Sequence, residues 1–368
     1  MGQNAMSKPI LVAIDGGSGN IAISFALNGE LKTASIPSRI RIGNTQAYDS
    51  ETNTTWRTVD AFGEEQLYSV VNRGVDLVDT CDPDYQVSAA HRVLVINALS
   101  QMGLGGKDII IGETLPADQY YAADGGLNYA RIEAKKASLM TPVVNHSKQL
   151  KAPNILGVKV YPEAVPAVFS ASVLPDGSFD PRFERVRSKL VVDIGHFTCD
   201  IAYLDEDNNV VRKHTSENGV HILLKDIHAM LQNDAKELGI KDPKSISLDA
   251  IDRFIRDKGR IVSGWDDSES VNLIPYIEKA TSNLTHRIKT DIRACWRDLT
   301  EVDVMLAVGG GANYVGGTLP YMKGRDLRAA WERPVFIPAY PEFAIVRGVY
   351  LSMSHAEDSL VAQFAKEV

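Results

Sequence analysis

The 368-residue chain is poor in cysteine: Cys81, Cys199 and Cys295 are its three, far apart and without C-x-x-C spacing. That excludes a disulfide framework and a cysteine zinc site, and it suits a reducing compartment. No apolar run approaches the ~18 residues that a membrane span needs, and the N-terminus lacks a basic stretch leading into an apolar core. No membrane partner and a cytoplasmic location are therefore expected. Met6 stands where the myristoylation pattern needs Ser or Thr. Positive charge is also short. The formal net charge is −8, which opposes direct binding to DNA, itself a dense polyanion. Neither low-complexity segments nor a flexible inter-domain linker stand out. His196 and Cys199 lack the further ligands that zinc requires, Lys159 and Lys225 are single lysines in mixed sequence, and no Ser-His-Asp arrangement can be picked out. What remains is a globular composition, 44% hydrophobic, in a chain long enough for two domains.

The most informative stretch is "ILVAIDGGSGNIAISFALNG", residues 10–29. The continuous apolar run Ile10 to Ile14 suits a strand buried on both faces, and the β-branched run after Asn20 argues against the helix that a P-loop opens. The stretch reads as a hairpin. Its Asp15, Gly16, Gly17, Ser18, Gly19 and Asn20 turn can aim backbone N–H groups into one concavity suited to phosphate. An ordinary tight hairpin is the plain alternative. The chain repeats the pattern in "LVVDIGHFTCDIAYLD" from Leu190, with Asp193, Gly195 and Thr198 in the corresponding order, close to half the chain later. Two related halves, each offering a phosphate hairpin, are the economical reading, with Asp15 and Asp193 at the strand ends to hold Mg²⁺ through water.

Two further segments fit a nucleotide site. Glu163 follows Pro162 at a strand-to-helix junction, where a carboxylate could orient a water against a γ-phosphate; an acid in the first turn of a helix also simply suits the helix dipole. Gly309, Gly310 and Gly311 end the apolar run "VDVMLAV", so a base or ribose could approach the backbone there, unless they only make a tight turn. Helices are expected over Ser88 to Leu104, ended by Gly103, over "NYARIEAKKASLM" as an exposed helix, from near Glu217 to Gly219 onward, and over "PEFAIVRGVYLSMSHA". The region from the first hairpin to about residue 80 reads as one strand and polar loop, residues 248–294 as helices and loops, and the basic "PRFERVRSK" as a solvated connector.

In order along the chain, Asp-Gly-Gly-Ser-Gly-Asn, Pro-Glu, Asp-Ile-Gly-x-x-Thr-x-Asp and Val-Gly-Gly-Gly-Ala resemble the phosphate-one, connect-one, phosphate-two and adenosine segments of the actin, Hsp70 and sugar-kinase superfamily. Within it the chain most resembles the ParM/StbA-type plasmid-segregation actins, through "IDGGSGNI", "ETLP" with Tyr120 and Tyr121, "ARIEAKKA", "VKVYPEAVPA", "VVDIGHFTCDIA", "VMLAVGGGA" and "AIVRGVYL". The resemblance implies an α/β, actin-like two-domain fold of duplicated ribonuclease-H-like sheets with a nucleotide cleft between them. Domain I is expected at 1–187, with a C-terminal helix of about 341–368 returning to it, and domain II at 188–340. It implies an ATPase, or one accepting GTP, that polymerises with Mg²⁺-nucleotide into dynamic filaments and segregates plasmids through a small DNA-binding adaptor at a centromere-like site.

Carried over by position, Asp15 and Asp193 would manage Mg²⁺ and its waters. Gly17, Ser18, Gly19 and Asn20, with Gly195, His196, Phe197 and Thr198, would cradle phosphates. Glu163 would orient the attacking water, Glu217 and Gly219 would lie near the nucleoside, and Gly309, Gly310, Gly311 and Ala312 would back the base and ribose. Two positions depart from the family pattern: Ala22 stands where many relatives carry a phosphate-reaching lysine, and His196 replaces a glycine. A monomeric small-molecule kinase of the same superfamily is the competing reading, though it would need an Asp placed as base for a substrate hydroxyl. An Hsp70-like chaperone is disfavoured because no substrate-binding region follows the ATPase body.

Overall fold

A computed structural model of the chain describes residues 8–44, 54–72, 76–174, 176–257, 259–263, 269–317, 319, 331 and 333–364. Part of the polar region before residue 80 lies outside them. Its contacts divide the chain into two compact units, residues 1–173 with 343–368, and residues 174–342.

In the first unit, β1 (Ile10–Gly16), β2 (Asn20–Leu27) and β3 (Glu30–Pro37) form an antiparallel meander, and β7 (Asp108–Leu115) and β9 (Asn154–Pro162) continue the sheet parallel to β1. Alternation along β1 explains its unbroken apolar run. Val12 and Ile14 face the core that includes α1 (Ala89–Leu99), while Leu11 and Ala13 pack with Val346, Val349 and Met353 of α9 (Ala344–His355). Both faces of the strand are covered. The α1 helix runs into a π-type turn, Ser100–Leu104, whose Gly103 has φ 84°, as expected of a glycine-ended helix.

The same unit carries a second sheet that sequence patterning does not reveal. It orders β4 (Ile40–Ile42), β6 (Glu65–Val70), β5 (Thr55–Val59) and β8 (Val144–Asn145). Its anchor is Trp56, fully buried, whose Nε1 donates to Asn97 Oδ1 of α1 at 3.0 Å. The expected exposed helix, α3 (Tyr129–Met140), forms, but it is not exposed all round: Ile132 and Leu139 are buried and Lys135 has no solvent exposure. A polar network inside the unit holds that ammonium, as described below.

The second unit repeats the topology. An antiparallel meander of β10 (Lys189–Ile194), β11 (Cys199–Leu204) and β12 (Val210–Ser216) is continued in parallel by β15 (Val304–Val308) and β16 (Val335–Phe336). Helices α5 (Val220–Asn233), α6 (Leu248–Asp257) and α7 (Ile274–Cys295) close one core, and a hairpin of β13 (Arg260–Ser263) and β14 (Glu269–Asn272) interrupts the region read as helices and loops. The basic stretch before β10 is not a solvated connector throughout. Phe183 is buried edge-on against Phe336 at 5.4 Å, and Lys189 is 4% exposed, its ammonium donating to Asp205 O at 3.1 Å and Asn208 Oδ1 at 2.9 Å. Among the described residues, no helix is long and apolar enough to cross a membrane.

Candidate functional site

At the first hairpin, β1 and β2 stay paired to Gly16↔Ile21, which leaves Gly17, Ser18, Gly19 and Asn20 between the partners. Every carbonyl from Gly16 to Gly19 accepts a hydrogen bond from outside the turn. Gln86 Nε2 donates to Gly16 O at 2.9 Å, Ser38 Oγ to Gly17 O at 2.7 Å, Thr80 Oγ1 to Ser18 O at 2.8 Å and the Ser38 N–H to Gly19 O at 3.0 Å. In a trans peptide the N–H of the next residue points opposite to the carbonyl, and the chain has no cis bond among its described residues. Tying these carbonyls therefore aims the N–H groups of Gly17, Ser18 and Gly19 away from Gln86, Ser38 and Thr80, an arrangement that suits an anion. These three clamping residues escape sequence reading because a common polar side chain that binds a distant carbonyl leaves no local pattern.

Beneath this hairpin lies a buried polar cluster. Lys135 Nζ donates to Gln86 Oε1 at 2.7 Å, lies 3.2 Å from His91 Nε2 and is 3.4 Å from Glu113 Oε1. A Cβ on Gly16 would stand 2.3 Å from His91 Nε2 and 2.4 Å from Glu113 Oε1, so only glycine lets the strand end rest on this cluster. Burial pushes Glu113 up to about 7, against the pull of Lys135. Burial and Lys135 together hold His91 well below the ordinary histidine range, so it stays neutral. Burial lowers Lys135, while Glu113 and Glu163 oppose that shift. Asp15, at the end of β1, accepts from Thr114 Oγ1 at 2.8 Å; burial raises its carboxyl, and that hydroxyl and Lys135 resist the rise.

The raised Glu113 has a measurable consequence. The folded state keeps this proton up to about pH 7, whereas the unfolded chain releases it near the ordinary 4.5. Folded protein thus binds the extra proton between those values, and stability falls as pH rises across the window. Thermal melts from pH 5 to 8 should show a decline that Glu113→Gln flattens; an equal slope in both proteins would remove Glu113 as its source.

Glu163 follows β9 and is tied to the neighbouring strand by its N–H, which donates to Leu115 O at 2.9 Å. Ala164 then adopts φ 70° and ψ −52°, and the Val165 N–H returns to Glu163 O at 2.9 Å. That is a γ-turn of the rare positive-φ kind, a strain of order 1–3 kcal/mol for a non-glycine residue. Helix α4 (Val165–Ala171) starts only after it, with no acid in its first turn. The helix-dipole account of Glu163 therefore lapses. The carboxylate is 8% exposed and within electrostatic reach of Lys135.

The second hairpin is clamped by backbone instead. The Gly311 N–H donates to Ile194 O at 2.8 Å, the Val220 N–H to Gly195 O at 3.0 Å and the His221 N–H to His196 O at 2.8 Å. The start of α5, capped by Gly219, and the triple-glycine turn after β15 thereby converge on Asp193 to Thr198. Gly309 has φ 79°, and a Cβ there would lie 2.3 Å from Asp193 Oδ1. Ala312, fully buried, opens the short helix α8 (Ala312–Val315), and a Cβ on Gly310 would meet no atom within 4 Å. Glu217 is exposed in the turn after β12 and acts electrostatically on His221. Thr198 Oγ1 donates to the buried Asp200 at 3.0 Å. The His196 ring meets Phe197 edge-on, 4.6 Å between centroids, and burial lowers its pKa while Asp252 opposes that. Sequence reading also misses the neighbouring Asp252, which accepts from Arg256 Nε at 3.0 Å and from Tyr314 OH at 3.3 Å.

Among the described residues, no group of three or more His, Cys, Asp or Glu side chains is gathered to hold a metal ion. Asp15 near the end of β1 and Asp193 near the end of β10 each stand as a single carboxylate beside the hairpin of their own unit, and Mg²⁺ commonly takes one or two carboxylates with waters rather than an all-protein cage.

Comparison with known proteins agrees with this architecture. Residues 10–173 match the family profile of the N-terminal domain of the plasmid segregation protein ParM, StbA_N, and residues 191–320 match that of the archaeal MreB-like actin homologue, C-terminal. No curated protein matches the chain. Among solved structures, the actin-like protein Alp7A superposes with a TM-score of 0.70 at 12% identity, over 96% of this chain and 99% of that one. A ParM from a 15-stranded filament of Clostridium botulinum gives 0.63 at 17% identity, over 95% and 99%. Bacillus thuringiensis ParM with ATP gives 0.62 at 13% identity, over 95% and 100%. The chain has the actin-like fold, with a first part that matches a ParM-type N-terminal domain and a second that matches an MreB-like C-terminal domain.

Proposed function

We propose that the protein is a cytoplasmic, nucleotide-driven filament former that hydrolyses ATP, or GTP in its place, and moves plasmid DNA through a small DNA-binding adaptor. The observation that carries this reading is the pair of hairpins with successive tied carbonyls, Gly16 to Gly19 in the first and Ile194 to His196 in the second. Fixed amide donors cost no reorganisation when charge develops on a phosphoryl group, which is the main requirement of phosphoryl transfer. In this mechanism the amides of Gly17, Ser18 and Gly19 and those of His196 and Phe197, in a turn closed by the Gly195 N–H donating to Thr198 O at 2.9 Å, bind and orient the phosphates. Glu163, set by the γ-turn, accepts a hydrogen bond from the attacking water and directs it. Asp15 and Asp193 would hold Mg²⁺ through its waters, and the ion would supply charge neutralisation. Gly219, Glu217 and Gly309–Ala312 border the nucleoside.

The match of residues 10–173 to a ParM N-terminal domain supports the self-association and adaptor parts of this reading, and the Clostridium botulinum ParM is a filament subunit. The net charge of −8 suits an indirect link to DNA. Right-angle light scattering on adding Mg-ATP, with Mg-ADP and nucleotide-free controls, tests the reading. A rise that decays as phosphate appears is expected. ATP turnover without any rise, at every protein concentration tried, would favour a small-molecule kinase instead.

A further inference from the structure

We propose that Lys135 is the positioning cation of the first hairpin: through Gln86 it pins the Gly16 carbonyl, and it places a fixed positive charge behind the amides that meet the phosphates. The inference rests on the phosphate-binding reading of that hairpin. Two hydrogen bonds link the ammonium to the turn, Lys135 Nζ to Gln86 Oε1 at 2.7 Å and Gln86 Nε2 to Gly16 O at 2.9 Å. An ammonium on the amide oxygen polarises the amide and strengthens its donation at the other end. The Gly16 carbonyl is thus held down, and the Gly17 N–H is held up.

The charge has a functional rather than a structural rationale. Removing an ammonium from water costs several kcal/mol, and a buried ion pair can often be replaced by apolar or neutral groups of similar volume at no loss of stability. Lys135 and Glu113 are both fully buried, and a neutral pair would fill the same space. The hairpin carries no cation of its own, because the strand position two residues after Asn20 is Ala22, buried against α9. Lys135 approaches from the other side of the sheet, from α3, and lies within electrostatic reach of Asp15, Glu113 and Glu163 together. One ammonium therefore bears on Asp15 and Glu163, two of the three carboxylates given roles in the proposed mechanism, and through Gln86 on the Gly16 carbonyl.

The test uses the full chain, with affinities for ATP and for adenosine measured by calorimetry and the fold checked by circular dichroism and thermal melting. The double variant Lys135→Met with Glu113→Gln removes the ammonium and its carboxyl partner together, and Gln86→Met removes the relay with no change of charge. Both are expected to stay folded and to bind ATP about ten- to a hundredfold more weakly, the range of a lost charge-assisted hydrogen bond, with adenosine affinity unchanged. ATP affinity equal to wild type in folded Gln86→Met overturns the relay, whether or not the double variant folds. Equal losses for ATP and adenosine overturn the phosphate-specific role. A wild-type protein that binds no nucleoside triphosphate is a different result: it overturns the nucleotide reading itself and takes this role with it.

Discussion

Glu163→Ala should slow phosphate release from ATP by about two to four orders of magnitude, the usual contribution of a positioned acid or base, while nucleotide binding and polymerisation persist. The split follows from where the residue stands. Glu163 is outside α4 and outside both hairpins, so truncating it removes none of the amides that hold phosphates. Its backbone is set independently of its side chain, by the bond to Leu115 O and the γ-turn at Ala164. Filaments of the variant should therefore form on adding Mg-ATP and then persist, because the hydrolysis that destabilises them is slow. Malachite-green phosphate assays run beside light scattering would read both quantities. Phosphate release at the wild-type rate would take Glu163 out of the mechanism.

The second large effect is expected at Gly309. Alanine there meets a left-handed backbone, φ 79°, and a Cβ 2.3 Å from Asp193 Oδ1 and 2.6 Å from Ile194 O. The turn must shift, and with it the Gly311 N–H that donates to Ile194 O. A loss of about 2–4 kcal/mol of stability is expected from the combined strain and clash, together with at least a tenfold loss of nucleotide affinity. Gly310→Ala is the matched control for stability, since no protein atom lies within 4 Å of its Cβ position. If Gly309→Ala melted like Gly310→Ala, the tight seat of the triple-glycine turn on the hairpin would be wrong.

Those elements differ in how openly the sequence displays them. The two hairpins are legible because each joins an apolar run to a second β-rich run through a glycine turn, and because the pattern occurs twice. The approach of Gly309 to Asp193 is not, since it depends on β10 and β15 being parallel neighbours, which strand spacing in the sequence does not show. The sheet of β4, β5, β6 and β8 is not. Its strands are short and mixed in polarity, and β8 pairs with β5 across some ninety residues, a separation that local periodicity cannot detect. The burial of Lys135 is equally hidden, because α3 is rich in Ala, Glu and Lys and a lysine on its inner face looks like those on its outer face. Gln86, Ser38 and Thr80 act through carbonyls, which every residue has.

The two clamps also differ in what can change them. At the first hairpin each carbonyl from Gly16 to Ser18 is held by a separate side chain, so single substitutions at Gln86, Ser38 or Thr80 can retune the turn one bond at a time. At the second, the donors are main-chain groups of α5 and of the glycine turn, and no substitution deletes a main-chain N–H except to proline. That hairpin can be altered chiefly by displacing a whole helix or strand end. Variation in phosphate affinity among descendants of this chain is thus expected to accumulate on the first unit, whereas mechanical displacement of α5 is the route by which a distant event could reach the second.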